Sequence, residues 1–210
     1  MVAPFIKSIP NSRKDISEYL IDNPVKIEEN SEINFSNSLL KEYNDLVGWR
    51  NEVIHPIFPY AIITHLHYRL VNNISFPFSP YGLLHKKEEI ILFKNLKKGN
   101  WKFKSSIIKY QKVNSGIEFD MISDLYIDNQ LSWRSTTTAL KKLRKNIKKE
   151  QIEIEKLNII KEISLSKGMA LKYAWISKNI DPIHISSFLA KLMGHKGSLM
   201  HGMWGLARVL

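Results

Sequence analysis

Apolar residues recur at helical spacing just after a polar amino-terminal segment. Residues 1 to about 40 are mostly polar, contain Pro10 and Pro24, and predict an irregular lead-in. The next apolar residues follow the spacing of one helix face: Leu39, Leu40, Tyr43, Leu46 and Val47. A second, mainly apolar stretch runs from Tyr60 to Val71 without glycine or proline and is too long for a typical strand. We therefore predict a short helix after residue 38 and a buried helix over 60–71, with Pro59 near its first turn.

From Leu83 to Ala139 the pattern changes to an alternation of period two, rich in β-branched and aromatic residues. This alternation predicts five strands: Leu83–Lys87, Ile90–Phe93, Trp101–Gln111, Ile117–Ile127 and Leu131–Ala139. Short segments with Gly, Asn and Asp separate the later strands. Consecutive strands joined by short turns form an antiparallel meander, so we predict an α+β arrangement of one helix followed by an antiparallel sheet.

Residues 140–157 form a charged stretch, which predicts a helix or a loose linker and marks a domain boundary. The rest of the chain then repeats part of this plan. Ala170 to Ser177 is strand-like, and Pro182 begins a loop or short helix that reaches Leu192. The last stretch, Leu199 to Leu210, predicts another apolar helix, although Gly202 and Gly205 weaken it.

Composition narrows the class of protein. The 210 residues include 31 Lys plus Arg against 20 Asp plus Glu, a net charge of +11, and 44% of them are hydrophobic. This balance indicates a globular protein with an anionic partner. The absence of cysteine excludes disulfides, thiolate metal sites and a cysteine nucleophile. The first residues lack the apolar core of a signal peptide, and no stretch reaches the length of a spanning helix, so we expect a cytoplasmic protein.

Two short motifs near the carboxyl end carry the chemistry. Ser177-Lys178-Asn179-Ile180-Asp181-Pro182-Ile183-His184 is followed by His201-Gly202-Met203. Together they resemble the MaoC-like branch of the hotdog fold, the R-specific enoyl-CoA hydratases and 3R-hydroxyacyl dehydratases. The signature of that family is S-G-D-x-N-P-I-H, then H-G-M at the start of a long central helix. The flanking residues are similar too: Tyr173, Trp175, Ser187, Ala190, Lys191, Gly194, Trp204, Ala207 and Arg208.

The first half resembles the non-catalytic first hotdog of the two-hotdog members. The similar segments are Tyr60 to Tyr68, Phe76-Pro77-Phe78 and Gly82-Leu83-Leu84-His85. The resemblance implies a tandem hotdog with four parts: a lead-in over 1–40, a degenerate hotdog over 41–140, a basic linker over 141–156, and the start of a catalytic-type hotdog over 157–210. In this family several strands follow the H-G-M helix, so we expect the second hotdog to be truncated after its central helix.

The resemblance implies reversible addition of water to an enoyl thioester of CoA or acyl carrier protein, in fatty acid metabolism, with neither cofactor nor metal. Such a reaction needs an acid, a base and donors for the enolate oxygen. By resemblance, His184, Asn179 and Asp181 occupy the catalytic positions, and Gly202, His201 and Ser177 bind substrate. The Gly202 N–H stands at a helix N-terminus, where negative charge is favoured.

The motif departs from the family pattern at three positions. The catalytic Asp of the family falls on Asn179, its glycine on Lys178, and its Asn on Asp181. An amide can orient water but cannot deprotonate it at neutral pH. Asp181 lies two residues away, and in an extended loop that offset points it away from Asn179. The residues therefore leave open a hydratase or dehydratase and a catalytically impaired acyl-thioester-binding or structural paralogue.

Other features favour less specific interpretations. Basic runs such as Lys141 to Lys149 are usually solvated faces or linkers, and this one lacks the interleaved aromatic residues of single-strand binders. We therefore expect no nucleic-acid partner and allow a homodimer. His65, His67 and His85 lack the H-E-x-x-H arrangement of a metal site and are interpreted as core or surface histidines.

Overall fold

Five strands and six helices make up the part of the chain that the computed structural model describes, residues 24–143, 162–166 and 168–210. The strands are β1 (Ile27–Ile33), β2 (Leu83–Leu92), β3 (Trp101–Val113), β4 (Gly116–Ile127) and β5 (Gln130–Lys142). The helices are α1 (Asn37–Val47), α2 (Phe58–Val71), α3 (Met169–Ser177), α4 (Pro182–Ile185), α5 (Ser187–Leu192) and α6 (Gly202–Val209).

The strands form one antiparallel sheet in the order β1-β3-β4-β5-β2. The predicted meander is correct for β3, β4 and β5, which are joined by the short turns at residues 114–115 and 128–129. It is wrong for β2, which pairs with β5 at the far edge instead of with β3. Sequence order could not reveal this, because nothing local in β2 specifies which strand it pairs with.

Two details of the strand prediction are wrong. The expected pair Leu83–Lys87 and Ile90–Phe93 is the single strand β2, with a register shift between His85 and Lys87. The polar run in its middle breaks the apolar alternation, although the backbone continues to pair with β5. The lead-in is not wholly irregular either, because β1 pairs with β3. β1 buries only its first residue, Ile27, so its sequence lacks the usual strand signal.

The predicted helix over 60–71 is confirmed as α2, which begins at Phe58 with Pro59 in its first turn. Most of its side chains are buried on every side, as expected for a helix that a sheet wraps around. The main core gathers large side chains from α1, α2 and the sheet: Tyr43, Phe58, Leu66, Trp101, Phe103 and Trp133. The predicted short helix is α1, which begins after a Ser36 side-chain cap on Leu39 N and ends at Gly48, with a φ of 73°.

The prediction of a strand over 170–177 is wrong, because this segment is helix α3. Its buried residues, Tyr173, Ala174, Ile176 and Ser177, follow helical spacing, whereas Trp175 is 70% exposed. The aromatic residues gave an apparent alternation over only eight positions. The segment is helical because its buried face packs against α1 and α2.

The carboxyl-terminal helices share the core of the first helices. Trp204 of α6 donates its Nε1–H to the Leu46 carbonyl at 3.1 Å, and Arg208 donates to the Val47 carbonyl at 2.9 Å. His55 Nε2 lies 3.0 Å from the Ala207 carbonyl. These contacts tie α6 to the carboxyl end of α1 and to the segment that precedes α2.

The structure bears on two features of the composition, the basic run and the search for a membrane-spanning helix. Residues 144–149 of the basic run lie outside the described residues. Lys141, the penultimate residue of β5, donates to the carbonyls of Ser79 and Tyr81. Within the described ranges, no helix has both the length and the apolarity needed to cross a membrane.

Acidification should weaken the fold through His67, whose Nε2 lies 2.9 Å from Ser123 Oγ inside the core. Burial lowers the pKa of His67 to about 4, below its ordinary value of 6.5. The unfolded chain therefore takes up this proton first, and stability is lost as pH falls from 6.5 to about 4. We expect a loss of about 2–3 kcal/mol from this residue.

The measurement is denaturant unfolding at pH 7 and pH 4.5 of wild type and His67→Gln. The loss on acidification should be smaller in the variant, whereas a His195→Gln control at an exposed position should behave as wild type. Equal losses in His67→Gln and wild type would contradict the assignment.

Candidate functional site

An open cavity of about 560 Å³ lies between β2, α2 and the carboxyl-terminal helices. All six residues predicted for the site line it: Ser177, Asn179, Asp181, His184, His201 and Gly202. A separate groove of about 720 Å³, lined by Leu39, Met169 and Trp175 among others, contains none of these six residues. The two sequence motifs, 17 residues apart, therefore meet in one cavity.

The first motif begins where α3 ends. Ser177 is buried, and its hydroxyl donates to the Tyr173 carbonyl at 2.7 Å while accepting from the Asn179 N–H at 3.4 Å. Lys178 adopts a left-handed backbone with a φ of 53°, a conformation that favours glycine. The glycine of the family signature falls at this position, so the turn keeps the backbone shape although its residue differs. This turn leads the chain from α3 into the loop that carries Asn179 and Asp181.

His184 is held in place by the backbone of Leu199, two residues before the second motif. Its Nδ1 lies 2.9 Å from the Leu199 carbonyl, and the Leu199 N–H donates to the Ile183 carbonyl at 2.9 Å. Because a carbonyl only accepts, Nδ1 of a neutral His184 carries the proton and Nε2 carries the lone pair. None of the described hydrogen bonds engages Nε2. His184 can therefore act as a base at a cavity wall.

The ring of His184 stacks on His201, with centroids 3.8 Å apart and an interplanar angle of 26°. His201 is 4% exposed, and its Nε2 lies 3.2 Å from the Asn179 carbonyl. Burial, together with the neighbouring His184, lowers the pKa of His201 to about 4, so this ring is neutral at pH 7. Its Nδ1 is buried and has no hydrogen-bond partner among the described residues.

His201 is also the N-cap residue of α6, so its stacking places His184 beside the start of that helix. Gly202 is the first residue of α6, and the N–H groups of a first turn have no acceptor within the helix. No described heavy atom lies within 4 Å of the place that a Cβ at Gly202 would occupy. The open N–H and the helix dipole suit an oxygen that develops negative charge.

Asn179 is held by a residue that sequence analysis did not select. The hydroxyl of Tyr68 in α2 donates to Asn179 Oδ1 at 2.5 Å. Burial, together with Asp181, raises the pKa of Tyr68 to about 12, so the phenol remains a donor at neutral pH. Because Oδ1 is engaged, the Asn179 NH₂ is the group left to contact a water or a substrate oxygen.

The Asp181 side chain is turned toward α4. Its Oδ1 accepts from the Ile183 N–H at 3.2 Å and caps this short helix, which Pro182 begins. The cap orients the turn that carries His184. Asp181 therefore has a positioning contact in the loop in addition to bordering the cavity.

Sequence analysis also missed two polar residues of β2 that line the cavity, His85 and Glu88. A signal for Glu88 existed, because it interrupts an apolar alternation at an inward-facing position of β2. No signal existed for Tyr68, which meets Asn179 across 111 positions of the sequence.

Comparisons with known proteins bear on this arrangement. No family model matches the sequence. The 3-hydroxyacyl-thioester dehydratase X of Mycobacterium tuberculosis is 22% identical over 161 residues, a match that covers 73% of this chain and 57% of that protein. This chain therefore spans little more than half the length of that curated relative.

Solved structures share the fold. The crystal structure of HtdX from Mycobacterium tuberculosis superposes with a TM-score of 0.73 at 19% identity, covering 89% of this chain and 75% of the other. A MaoC-like dehydratase from Phytophthora capsici gives a TM-score of 0.64 at 16% identity, covering 91% and 74% of the two chains. The peroxisomal multifunctional enzyme type 2 of Drosophila melanogaster gives 0.58 at 16% identity, covering 99% and 40%. The chain thus has the α+β hotdog fold of the MaoC-like dehydratases, and the resemblance of its sequence to that family is confirmed.

Proposed function

We propose that the protein catalyses the reversible addition of water to an enoyl thioester, forming a 3R-hydroxyacyl thioester of CoA or acyl carrier protein. The observation that carries this proposal is the placement of His184, with an unengaged Nε2, against the N-terminus of α6 in the cavity that Gly202 borders. A base and an oxyanion donor at one cavity wall are the two elements that thioester hydration requires.

Each residue has a role in this proposal. The Gly202 N–H donates to the thioester oxygen, where negative charge develops when the C2 proton leaves or arrives. His184 Nε2 exchanges that C2 proton. His201, neutral and buried, packs under the His184 ring and fixes its plane. The Asn179 NH₂ orients the water or hydroxyl at C3, and Ser177 holds the loop through the Tyr173 carbonyl.

Besides His184, the reaction needs a second group that transfers a proton, at the C3 oxygen, and the two other motif residues do not supply it. Asn179 cannot take a proton from water, and the Asp181 carboxylate caps α4. This observation supports the second candidate function, binding of an acyl thioester without turnover. In that case the Gly202 N–H and the cavity would still hold the thioester.

The two functions are distinguished by one pair of measurements on the purified 210-residue protein. Hydration of a short trans-2-enoyl-CoA is followed by the loss of the enoyl-thioester absorbance, and binding of the same thioester is followed by calorimetry. We expect binding together with slow but measurable hydration. Binding without hydration would favour the acyl-binding paralogue, and the absence of both would contradict the proposal.

Replacing Asn179 by aspartate should raise the turnover number for hydration about tenfold, because a carboxylate at this position can exchange a proton and an amide cannot. The Tyr68 hydroxyl can donate to an aspartate Oδ1 as it does to the asparagine. The assay compares kcat of wild type and Asn179→Asp. Asn129→Asp, at an exposed turn, controls for the added negative charge and should leave kcat unchanged. An equal rise in both variants would indicate a general charge effect instead.

The remaining sequence-based expectations belong to the same proposal. We propose a cytoplasmic protein of fatty acid metabolism, with an acyl-CoA or acyl carrier protein thioester as partner and a homodimer as its assembly. The four-part division at residues 40, 140 and 156 also remains a proposal. The net charge of +11 supports an anionic carrier such as the CoA phosphates.

A further inference from the structure

A buried carboxylate lies at an unusual place in the sheet. Glu88 of the edge strand β2 has a side chain only 6% exposed. It accepts hydrogen bonds from two residues of the neighbouring strand β5, Ser135 Oγ at 2.5 Å and Thr137 Oγ1 at 2.7 Å. A buried carboxylate is costly without such donors, and the two hydroxyls fix both of its oxygens in position.

The same carboxylate holds the ring of His85. His85 Nε2 lies 3.0 Å from Glu88 Oε2, and the ring stacks on Tyr60 at a centroid distance of 6.0 Å and an angle of 16°. Because a carboxylate only accepts, Nε2 carries a proton, and Nδ1 is the nitrogen left for proton transfer. A histidine oriented by a carboxylate in this way is a recurring acid–base device.

The His85–Glu88 pair borders the cavity that contains the proposed site. His85, Glu88 and Tyr60 line it together with Asn179, His184 and Gly202. The pair comes from the sheet of the first half of the chain, whereas His184 comes from the short helix α4. Besides the buried His201, one cavity therefore holds two oriented histidines, His85 and His184, and it has an amide at position 179.

We propose that His85 is the second acid–base residue of this site, with Glu88 as its positioning residue, in place of a carboxylate at position 179. The inference rests on the proposed function. In dehydration, His184 Nε2 takes the C2 proton and the C2 electron pair moves toward the thioester carbonyl. The C2–C3 double bond then forms as the C3–O bond breaks, and protonated His85 gives its Nδ1 proton to the departing hydroxyl, which leaves as water. His85 then regains a proton from solvent, and His184 releases to solvent the proton that it took from C2. Hydration is the reverse sequence.

The test is a mutant cycle that combines His85→Gln with Asn179→Asp, assayed as hydration of a short trans-2-enoyl-CoA. We expect His85→Gln to lower kcat about 10²-fold in the wild-type background. In the Asn179→Asp background the loss should shrink to a few-fold, because the new carboxylate replaces the missing group. A purely structural role of His85 would lower kcat equally in both backgrounds, and that result would overturn the inference.

Glu88→Gln tests the positioning role in the same two backgrounds. It should lower kcat with little change in KM, and this loss should also shrink when residue 179 is aspartate. The matched control is Glu89→Gln, which alters the exposed neighbour on the same strand and should leave kcat unchanged. Equal losses for Glu88→Gln and Glu89→Gln, or equal losses in both backgrounds, would overturn the role of Glu88.

A measurement on the wild-type protein keeps the test independent of how the variants fold. Carbethoxylation of His85 by diethyl pyrocarbonate is followed by mass spectrometry, with and without a non-reactive enoyl thioether analogue of CoA. We expect the analogue to protect His85 and His184 but not the exposed His195; protection of His184 alone would overturn the inference.

The kinetic variants separate the failure of this inference from the failure of the proposed function. If wild type hydrates the thioester and His184→Gln abolishes this while His85→Gln retains it, only the role of His85 fails. If wild type shows no hydration, both proposals fail.

Discussion

A His184→Gln protein is expected to hydrate a short trans-2-enoyl thioester about 10³-fold more slowly than wild type, with thioester affinity changed less than threefold, or about 0.7 kcal/mol. The reason is that glutamine has no basic nitrogen to exchange the C2 proton. The Gly202 N–H, the proposed donor to the thioester oxygen, is unaffected. The measurement is kcat from absorbance loss and Kd from calorimetry on the same preparations.

The control for this prediction is His195→Gln, which removes an exposed histidine close in sequence to the second motif. It should leave both kcat and Kd unchanged. A His184→Gln protein with undiminished kcat would show that His184 only supports the loop through its bond to the Leu199 carbonyl. A large change in Kd with little change in kcat would assign His184 to binding instead of proton transfer.

Trp133→Ala should lower the free energy of unfolding by about 3–5 kcal/mol. Trp133 is fully buried in the core under α2, donates its Nε1–H to the Pro56 carbonyl at 2.8 Å and packs edge-on against Phe103. The substitution leaves a large cavity and removes the donor to the partly buried Pro56 carbonyl. Denaturant unfolding measures the loss as a shift of the midpoint at constant slope.

Trp175→Ala is the matched control, since it removes an equal side chain that is 70% exposed on α3. Its unfolding free energy should change by less than about 1 kcal/mol. Similar losses in the two variants would mean that Trp175 is covered in solution. A negligible loss for Trp133→Ala would contradict the core described here.

The parts of the fold that sequence predicts well are those with a long periodic signal. The apolar run of α2 and the alternation of β3, β4 and β5 extend over eleven or more residues, so local spacing and burial agree. The predictions for β1 and α3 were wrong because the local sequence pattern was weak in both. β1 is mostly polar and forms by pairing with β3, and α3 is short and forms by packing against α1 and α2. The sequence divided β2 into two strands because the polar residues around Glu88 interrupt the apolar alternation, although the Glu88 side chain is buried.

In the candidate site, too, the sequence revealed the residues of local motifs and missed those that tertiary contacts bring together. The two short motifs selected His184 and Gly202, and the structure places both residues at one cavity. The hydroxyl that engages Asn179 comes from Tyr68, and the carboxylate that holds His85 becomes buried only when β2 pairs with β5. Such contacts depend on tertiary structure, so no spacing in the sequence could have predicted them.

The most direct test of the central claim is a crystal structure of the protein with a bound, non-reactive enoyl thioether analogue of CoA. We predict that the acyl carbonyl oxygen lies within hydrogen-bond distance of the Gly202 N–H and that C2 faces His184 Nε2. An analogue bound instead in the groove beside Trp175, with the cavity at His184 empty, would contradict the account.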